Sequence, residues 1–338
     1  MLGKKVKNGA IEDALNRFLK EKDKNKLVIG FEDKENGVFL RAFGDHVENF
    51  SLFNPFFGIN NALHFRRLFS KGTKIILLLR PCEIRAYVEL IKLSQIERED
   101  IIAVSIDCPG TISSKGINNS IPREAKELKE YLEGNDMLRW ACKTCREKRG
   151  VVGDAGIRID QDGFAWAVPY NNKGDYFLSL IDGELEEIDV GMLISESKRI
   201  DKFQSEMDKF YEDFSKCIMC KNCRDMCPVC YCIDCVFNGD EYLPKGDALL
   251  NKILRSGTVQ LPQGKELFHF IRMYHVSQTC VGCGACEEAC PQGIPLTRYF
   301  KGISERLQDM FSYMSGRDFE ESIPYLTFIE DELKDAAD

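Results

Sequence analysis

Two cysteine-rich stretches with the same spacing decide how this sequence is interpreted: CIMCKNCRDMCP at residues 217–228 and CVGCGACEEACP at residues 280–291. In each stretch the second and third cysteines follow at intervals of three positions, the fourth follows after four, and a proline comes next. Of the 15 cysteines in the 338-residue chain, eleven fall between residues 217 and 290. This cysteine pattern is the internal repeat that we find in the chain, and it indicates one chemistry used twice.

The spacing C-x2-C-x2-C-x3-C-P is that of bacterial ferredoxins that hold two 4Fe-4S clusters. Three cysteines on a tight loop can direct their thiolates to three corners of one cluster, whereas the fourth lies too far along and ligates the other cluster. Gly282, Gly284 and Ala285 are small, so backbone N–H groups of the second loop can turn toward the cluster sulfides. We therefore predict crossed ligation. The first cluster takes Cys217, Cys220, Cys223 and Cys290, and the second takes Cys280, Cys283, Cys286 and Cys227.

Zinc is the alternative metal, because structural zinc sites also use C-x2-C pairs and four thiolates. We favour iron–sulfur clusters, since a zinc site rarely needs three successive cysteines and a Cys-Pro twice over. His269 and His275 precede the second stretch and are expected to support the structure rather than to bind metal. Three cysteines stay unassigned as spare thiols, replacements for Cys227 or ligands of a metal with an outside ligand. They are Cys230, Cys232 and Cys235.

The composition excludes several classes of function. Lys and Arg number 46 against 54 Asp and Glu, a net charge of −8, which disfavours general nucleic-acid binding. The amino terminus lacks the apolar segment of a secretory signal, and the strongest apolar run, residues 75–79, is too short to span a membrane. We therefore expect a cytoplasmic protein. Because cytosol is reducing, its cysteines are more often metal ligands than disulfides.

The first part of the chain has the pattern of an α/β domain. The apolar runs 74–80 and 101–107 are typical of strands buried on both faces. Residues 83–97 between them carry apolar side chains at helical spacing, so residues 74–107 form a βαβ unit with parallel strands. Further strands are predicted at 26–31, 37–43, 164–169 and 176–181, and further helices at 63–70 and 122–135.

We predict an α/β domain over residues 1–190 and a mainly α-helical, two-cluster ferredoxin-like domain over residues 217–310. The charged stretch 191–216 is expected to be a helical linker, and the acidic residues 311–338 a solvated tail. The long gap between the two cysteine runs resembles the α-helical ferredoxin modules of fumarate and heterodisulfide reductases more than a compact bacterial ferredoxin.

Four further cysteines lie in the α/β domain: Cys82, Cys108, Cys142 and Cys145. The first two follow the predicted parallel strands, at the carboxyl edge where open α/β sheets place their ligands. The last two form a C-x2-C pair that could complete a four-thiolate site for a third cluster. Arg80 and Arg85 flank the first cysteine and could offset the negative charge of such a cluster. Buried inert thiols and a lone zinc or redox pair are the alternatives.

These four cysteines and their neighbours resemble the family of coenzyme F420-reducing hydrogenase and formate dehydrogenase β subunits. The matching motifs are Pro81-Cys82, Cys108-Pro109-Gly110, Cys142 with Cys145, and Gly153-Asp154-Ala155. The resemblance covers residues 70–190 best and extends to family members that carry a dicluster module. It implies one 4Fe-4S cluster on these cysteines beside a flavin, FAD, with Asp154 near the cluster or the flavin.

Two functions remain open from the sequence. In the first, FAD exchanges two electrons with a soluble carrier, F420 or NAD(P), and clusters pass single electrons toward a ferredoxin-type or heterodisulfide reductase-like acceptor. In the second, the chain is an adaptor without flavin or substrate, linking a formate dehydrogenase- or hydrogenase-type partner to a heterodisulfide reductase-like one. The family's Gly-Gly start is reduced here to Gly9-Ala10-Ile11, and no G-x-G-x-x-G fingerprint is present, which favours the adaptor. The sequence shows no proton-transfer or nucleophile constellation. An anaerobic host is expected, because exposed low-potential clusters react with oxygen.

Overall fold

The computed structural model describes residues 2–7, 9–22, 25–35, 37–68, 72–114, 121–134, 136–188, 194, 208–238, 246–257 and 264–328. Most of the predicted linker, 191–216, and the last ten residues of the predicted tail lie outside these ranges. Within them, no helix is long and apolar enough to cross a membrane.

A mixed sheet of nine strands forms the amino-terminal part of the chain. Its strands are β1 (Leu2–Val6), β2 (Asn25–Lys34), β3 (Gly37–Phe43), β4 (Phe50–Ser51), β6 (Thr73–Leu79), β7 (Ile101–Ile106), β9 (Ala155–Ile159), β10 (Ala165–Pro169) and β11 (Glu186–Glu187). Their order is β11-β1-β10-β9-β7-β6-β2-β3, and β4 pairs with β2. β2, β6, β7 and β9 run parallel to their neighbours in that series, and the other pairs are antiparallel. A separate two-stranded sheet pairs β5 (Phe56–Phe57) with β8 (Ile112–Ser113).

Helices cover both faces of the mixed sheet, which explains why its central strands are apolar throughout. They are α1 (Ala10–Lys20), α2 (Ala62–Leu68), α3 (Pro81–Lys92), α4 (Ala125–Gly134), α5 (Trp140–Lys143) and α6 (Asn172–Ser179). Buried side chains of α1, α4 and α6 share one apolar core with one face of the sheet. Those of α2 and α3 share a second core with the opposite face. The mixed sheet with its helices confirms the α/β class predicted for this part of the chain.

The predicted βαβ unit of residues 74–107 is confirmed as β6–α3–β7. The two strands pair in parallel, with Ile75 opposite Ile101. α3 begins at Pro81, a position where the missing N–H of proline is not needed. Glu83 accepts the backbone N–H of Arg80 at 3.2 Å and so caps the first turn. The residues that follow β6 and those that follow β7 therefore lie at the same carboxyl edge of the sheet.

The prediction of a strand at residues 176–181 is wrong, because this segment belongs to α6. The Asn171 side chain caps the helix by accepting the backbone N–H groups of Lys173 and Gly174. Phe177 and Leu178 point into the core from one helical face. A short apolar run of this kind fits either a strand or a buried helical turn. The Asn171 cap favours the helix by satisfying the N–H groups of its first turn.

The described regular elements after residue 207 are helical. They are α7 (Phe210–Ser215), α8 (Asn222–Asp225), α9 (Gly246–Ser256), α10 (Lys265–Val276), α11 (Ala285–Glu288) and α12 (Leu296–Met310), with 3-10 turns at Val236–Asn238 and Pro324–Leu326. Aromatic rings dominate their shared core, in which Phe210 stacks on Phe270 and Phe214 packs against Tyr299.

The described part of the acidic tail, residues 311–328, corrects the expectation of a solvated segment. Tyr313 is buried and donates its hydroxyl hydrogen bond to Glu89 of α3 at 2.6 Å. The Gly316 N–H donates to the same carboxylate at 2.6 Å. Tyr313 and Ile323 also pack against Leu93 in a small apolar cluster. The apolar residues among the acidic ones hold this segment against the α/β part of the chain.

Replacing Gly316 by alanine is predicted to loosen this contact. Gly316 has φ +71°, and a Cβ there would overlap the carbonyl oxygen of Arg85. We expect Gly316→Ala to lower the melting temperature of the anaerobically purified protein, at a cost of roughly 1–3 kcal/mol for the backbone alone and more for the overlap. Gly257→Ala is the matched control, since φ is +69° there and no atom lies within 4 Å of the added Cβ. Equal losses in both variants would contradict the packing role.

Candidate metal centres

The four cysteines of the α/β part line one cavity. Cys82 is the second residue of α3, Cys108 follows β7, Cys142 lies on α5 and Cys145 comes just after it. The cavity that they share is also lined by Arg80. The sequence predicted that these thiols meet at one edge of the sheet, and in the structure all four line the same cavity.

The loop after β7 approaches α5 closely, which brings the C-x2-C pair to the first two thiols. Gly110 has φ +117°, and a Cβ there would overlap the Leu138 side chain and lie 3.6 Å from the Cβ of Cys142. Thr111 Oγ1 lies 3.2 Å from Cys142 Sγ. The Cys-Pro-Gly motif therefore has a local physical reason, because only glycine fits both the backbone angle and the close approach.

Burial governs the protonation of these thiols in the metal-free chain. Burial raises the pKa of Cys108 to about 12 and that of Cys145 to about 11. Burial also raises the pKa of Cys82 well above its ordinary value. Cys82, Cys108 and Cys145 are therefore neutral at pH 7 without a bound cation, and metal binding must displace their protons.

Arg80 is a buried cation in the wall of this cavity, which Arg139 and Lys148 also line. Its Nε donates to Glu83 at 3.1 Å, and its Nη1 donates to the carbonyl of Phe56 at 3.0 Å. The guanidinium carbon lies 5.1 Å from the ring centres of Phe31 and Phe57. These contacts fix a buried positive charge beside the thiols, as the sequence predicted for a residue that offsets cluster charge.

The second cysteine-rich stretch and Cys227 enclose another cavity. It is lined by Cys227, Cys280, Cys283 and Cys286. Burial raises the pKa of all four thiols, to about 11 for Cys280. Cys227 comes from the first stretch and the other three from the second.

The remaining thiols of the two stretches form a third group. Burial, with negative charge on Cys217, Cys290 and Cys220 and against the opposing charge of Arg272, raises the pKa of Cys223 to about 11. Burial raises the pKa of Cys217, and negative charge on Cys220 and Cys290 also raises it. The structure thus brings together the two sets that the crossed pattern predicts.

The two cysteine loops share one backbone conformation. Gly282 and Gly284 have φ +67° and +74°, and the equivalent positions of the first loop, Met219 and Lys221, have φ +55° and +63°. The Met219 N–H donates to Cys217 Sγ at 3.4 Å, and an N–H at Gly282 serves Cys280 in the same way. Both loops therefore direct N–H groups at cysteine sulfur, the first loop without glycine, and the predicted N–H contacts to cluster sulfides stay a prediction.

Arg272 of α10 lies between the two groups of thiols, and sequence reasoning missed it. Its Nη1 donates to Cys223 Sγ at 3.0 Å and its Nη2 to the Cys223 carbonyl at 3.0 Å. The same residue lines the cavity of Cys227 and the second stretch. Its Nε is buried without a partner among the described residues, which costs about 1–3 kcal/mol unless an acceptor enters the cavity.

His269 lies one helical turn from Arg272 on the same face. Its Nε2 is 3.3 Å from Cys217 Sγ. Burial, and then the charge of Arg272, lower its pKa to about 3, so the imidazole is neutral. The spacing of three between the two residues was the signal in the sequence, since positions i and i+3 of a helix share a face.

The cavity of Cys227 and the second stretch adjoins the cavity in the α/β part, since Gly282 and Cys283 line both. Arg139 donates to the carbonyls of Cys283 and Gly284 at 3.2 and 2.9 Å. Arg85 donates to the Val281 carbonyl at 3.3 Å and pairs with Glu147. Cationic side chains thus hold the two halves of the chain together where their thiols meet.

The three unassigned cysteines line neither cavity. Cys230 donates its N–H to the Cys227 carbonyl at 3.2 Å, Cys235 is half-buried and Cys232 is exposed. Among the described residues, no three His, Cys, Asp or Glu side chains converge closely enough to hold a single metal ion. No role for these three thiols emerges.

Asp154 lines neither cysteine cavity, so the structure does not place it beside the four cysteines of the α/β part, and its placement near a flavin stays a prediction. Its Oδ1 accepts hydrogen bonds from Arg98 and Asn171, each at 2.8 Å. Its Oδ2 accepts the Ala103 N–H of β7 at 2.9 Å. Both oxygens are occupied by protein donors, so the residue connects β7 to the start of α6.

Asp154→Ala is predicted to destabilise the fold without changing its metal content. The buried Ala103 N–H and the part-buried donors of Arg98 and Asn171 lose their acceptor, so the free energy of unfolding should fall by about 1–3 kcal/mol for the buried donor and by less for each of the other two. Chemical denaturation under anaerobic conditions measures the loss, and Asp45→Ala, an exposed carboxylate, is the control. Normal stability together with lost iron or flavin would show that Asp154 belongs to a cofactor site after all.

Comparison with known proteins agrees with the cysteine pattern. A family model described as a 4Fe-4S dicluster domain matches residues 213–294. The chain is 26% identical over 320 residues to the F420-dependent formate dehydrogenase subunit beta of Methanocaldococcus jannaschii, covering 79% of this chain and 80% of that protein. It is also 26% identical over 306 residues to the F420-dependent formate dehydrogenase 1 subunit beta of Methanococcus maripaludis, covering 74% and 75%.

Among solved structures, a chain of the F420-reducing NiFe hydrogenase complex from Methanosarcina barkeri matches with a TM-score of 0.37 and 11% identity. It covers 64% of this chain and 92% of that one, a likeness too distant to bear on the fold. The resemblance predicted from the motifs is confirmed: the chain is a relative of F420-dependent formate dehydrogenase β subunits and carries a 4Fe-4S dicluster domain within residues 213–294.

Proposed function

We propose that the chain is an iron–sulfur subunit that relays electrons within a formate dehydrogenase- or hydrogenase-type redox complex. The observation that carries the proposal is the succession of three groups of four thiols. The groups in the α/β part and in the second stretch share a wall at Gly282 and Cys283, and Arg272 connects the second stretch with the first. One-electron carriers held in such a succession form a continuous path through both halves of the chain.

Each group of thiols would hold one 4Fe-4S cluster, with crossed ligation in the ferredoxin-like half. The first cluster uses Cys217, Cys220, Cys223 and Cys290. The second uses Cys227, Cys280, Cys283 and Cys286, and the third uses Cys82, Cys108, Cys142 and Cys145. When bound, such clusters supply carriers of one electron each. The chain's own residues bury or half-bury all of these thiols except Cys220 and place buried arginines beside them.

The relatives support the choice of complex. They are named as β subunits of F420-dependent formate dehydrogenases, so a catalytic partner of that type is the proposed source or destination of the electrons. The other end of the relay serves a ferredoxin-type or heterodisulfide reductase-like acceptor. No catalytic side chain is proposed, because the chemistry of the substrate belongs to the partner.

FAD is a second candidate component, favoured by a cavity of about 1450 Å³ beyond the ends of β2 and β9. Its volume exceeds that of ordinary ligand pockets, about 300–1000 Å³, and the amino-terminal ends of α1 and α4 contribute to its wall. Its lining contains six carboxylate and four cationic side chains, which disfavours the diphosphate of a dinucleotide. The cavity thus fits FAD in size but not in charge, and the proposed relay does not depend on it.

The iron content tests the third cluster. We expect about twelve iron atoms per chain in anaerobically purified protein, and about eight in Cys108→Ser, because one cluster of four is lost. Cys232→Ser is the control and should keep about twelve, since this exposed thiol lines neither cavity. About eight iron in the unaltered protein would reject the third cluster, and zinc with little iron would reject the relay. One FAD per chain would assign the large cavity to a flavin, and its absence would favour the adaptor.

Paired substitutions test the crossed ligation. Cys290→Ala alone should remove about four iron. Adding Cys217→Ala should remove no more, because both residues would serve the same cluster, whereas adding Cys286→Ala should remove about four further iron. The opposite result, with Cys286→Ala silent in the Cys290→Ala background, would establish ligation within each stretch.

A further inference from the structure

Four arginines of the described chain are buried, and one of them differs from the rest in its partners. Arg80, Arg85 and Arg158 each contact a carboxylate, that of Glu83, Glu147 and Asp107 respectively. Arg272 is only 1% exposed and has no carboxylate partner among the described residues. Burial works to lower the pKa of Arg272, whereas negative charge on the sulfur atoms beside it would raise that pKa; these sulfur atoms belong to Cys223, Cys227, Cys230 and Cys286.

A buried cation without a counter-ion is costly, so this arrangement requires negative charge on the sulfur side. The two cysteine-rich stretches provide this negative charge when they carry clusters. Resting on the proposed function, we propose that Arg272 is a positioning residue whose shared positive charge raises the reduction potentials of both ferredoxin-type clusters.

The contacts of Arg272 reach both groups of thiols. Toward the first group, Nη1 donates directly to Cys223 Sγ at 3.0 Å. Toward the second, Arg272 forms part of the cavity wall together with Cys227 and Cys286, and its Nε has no protein partner there. The rings of Phe300 and Phe268 lie 4.7 and 5.7 Å from the guanidinium carbon and keep water away.

The direction of the effect follows from charge. Reduction adds one electron to a cluster, and a fixed positive charge nearby stabilises the reduced form more than the oxidised form. Exclusion of water strengthens this interaction. One guanidinium between two clusters therefore favours reduction of both, although it leaves their mutual repulsion unchanged. A single electron donor can then reduce both clusters.

A merely structural role makes a different prediction. The Nη2 bond to the Cys223 carbonyl at 3.0 Å could simply hold the first loop in place. In that case, loss of Arg272 would affect the first cluster alone, because Arg272 makes no hydrogen bond to a ligand of the second. The potential of the second cluster is thus the readout that separates the two roles.

The experiment is an anaerobic redox titration followed by electron paramagnetic resonance, on the whole chain and on three variants. In Arg272→Met, at a given solution potential, we expect the reduced-to-oxidised ratio of both clusters to fall at least about tenfold, which is 59 mV for one electron. Arg272→Lys keeps the charge and should move the second cluster by less than about threefold. Lys252→Met removes an exposed charge from α9 and should move either cluster by less than about twofold.

Each outcome decides the proposal. Unchanged potentials in a cluster-loaded Arg272→Met protein would overturn it, as would a shift confined to the first cluster. Should Arg272→Met fail to load its clusters, Arg272→Lys decides alone: a tenfold fall in the second cluster despite the retained charge would also overturn the proposal. An unaltered protein that lacks the eight iron of the ferredoxin-like half would reject the proposed function instead.

Discussion

The compensation of buried negative charge is the constraint on which the rest of this structure depends. Burial raises the pKa values of most thiols in these cavities, so those thiols become thiolates only when a cation takes the place of their protons. A cluster proposed for such a site would carry negative charge in partly buried surroundings, and that charge needs partners. The chain supplies them at each cavity: Arg80 in the α/β part, Arg85 and Arg139 where the halves meet, and Arg272 between the two stretches.

The same constraint explains why the two halves are joined so closely. Gly284 has φ +74°, and a Cβ there would lie 2.7 Å from Arg139 Nη2 and 2.8 Å from the Ala141 Cβ. The Lys301 ammonium donates to the carbonyl of Thr144, between the cysteines of the C-x2-C pair. The tail then returns to α3, where Ser315 accepts Arg85 Nε on its carbonyl at 2.8 Å and donates its hydroxyl to the Cys280 carbonyl at 2.9 Å. Polar groups of both halves of the chain are therefore connected beside the thiols.

Sequence reasoning succeeded where the chemistry is local and failed where it depends on packing. The cysteine spacing predicted which thiols meet, because a tight loop permits few arrangements of three thiolates. The apolar runs of β6 and β7 predicted the sheet edge that collects Cys82 and Cys108, since a βαβ unit has one handedness and one carboxyl edge. Arg272 gave only a weak signal, its spacing of three from His269, because one arginine in an amphipathic helix is ordinarily solvated. The packing of Tyr313 and Ile323 was hidden in an acidic tail, and Asp154 followed a family motif whose local role here is to bind the backbone of β7.

The two cysteine loops differ in what their backbone costs. The second loop uses glycine at both left-handed positions, where no side chain opposes the conformation. The first loop places Met219 and Lys221 in the same region, at a cost of roughly 1–2 kcal/mol for each residue. Lys221 is held by its ammonium, which donates to the Phe237 carbonyl, while Cys220 beside it is exposed. The first loop therefore relies more on its bound cluster and on the Arg272 and His269 contacts for its shape than the second loop does. The exposed Cys220 and the strained backbone both belong to the group of thiols that lies farthest from the α/β part. In the proposed relay, this end is the one that can reach a partner.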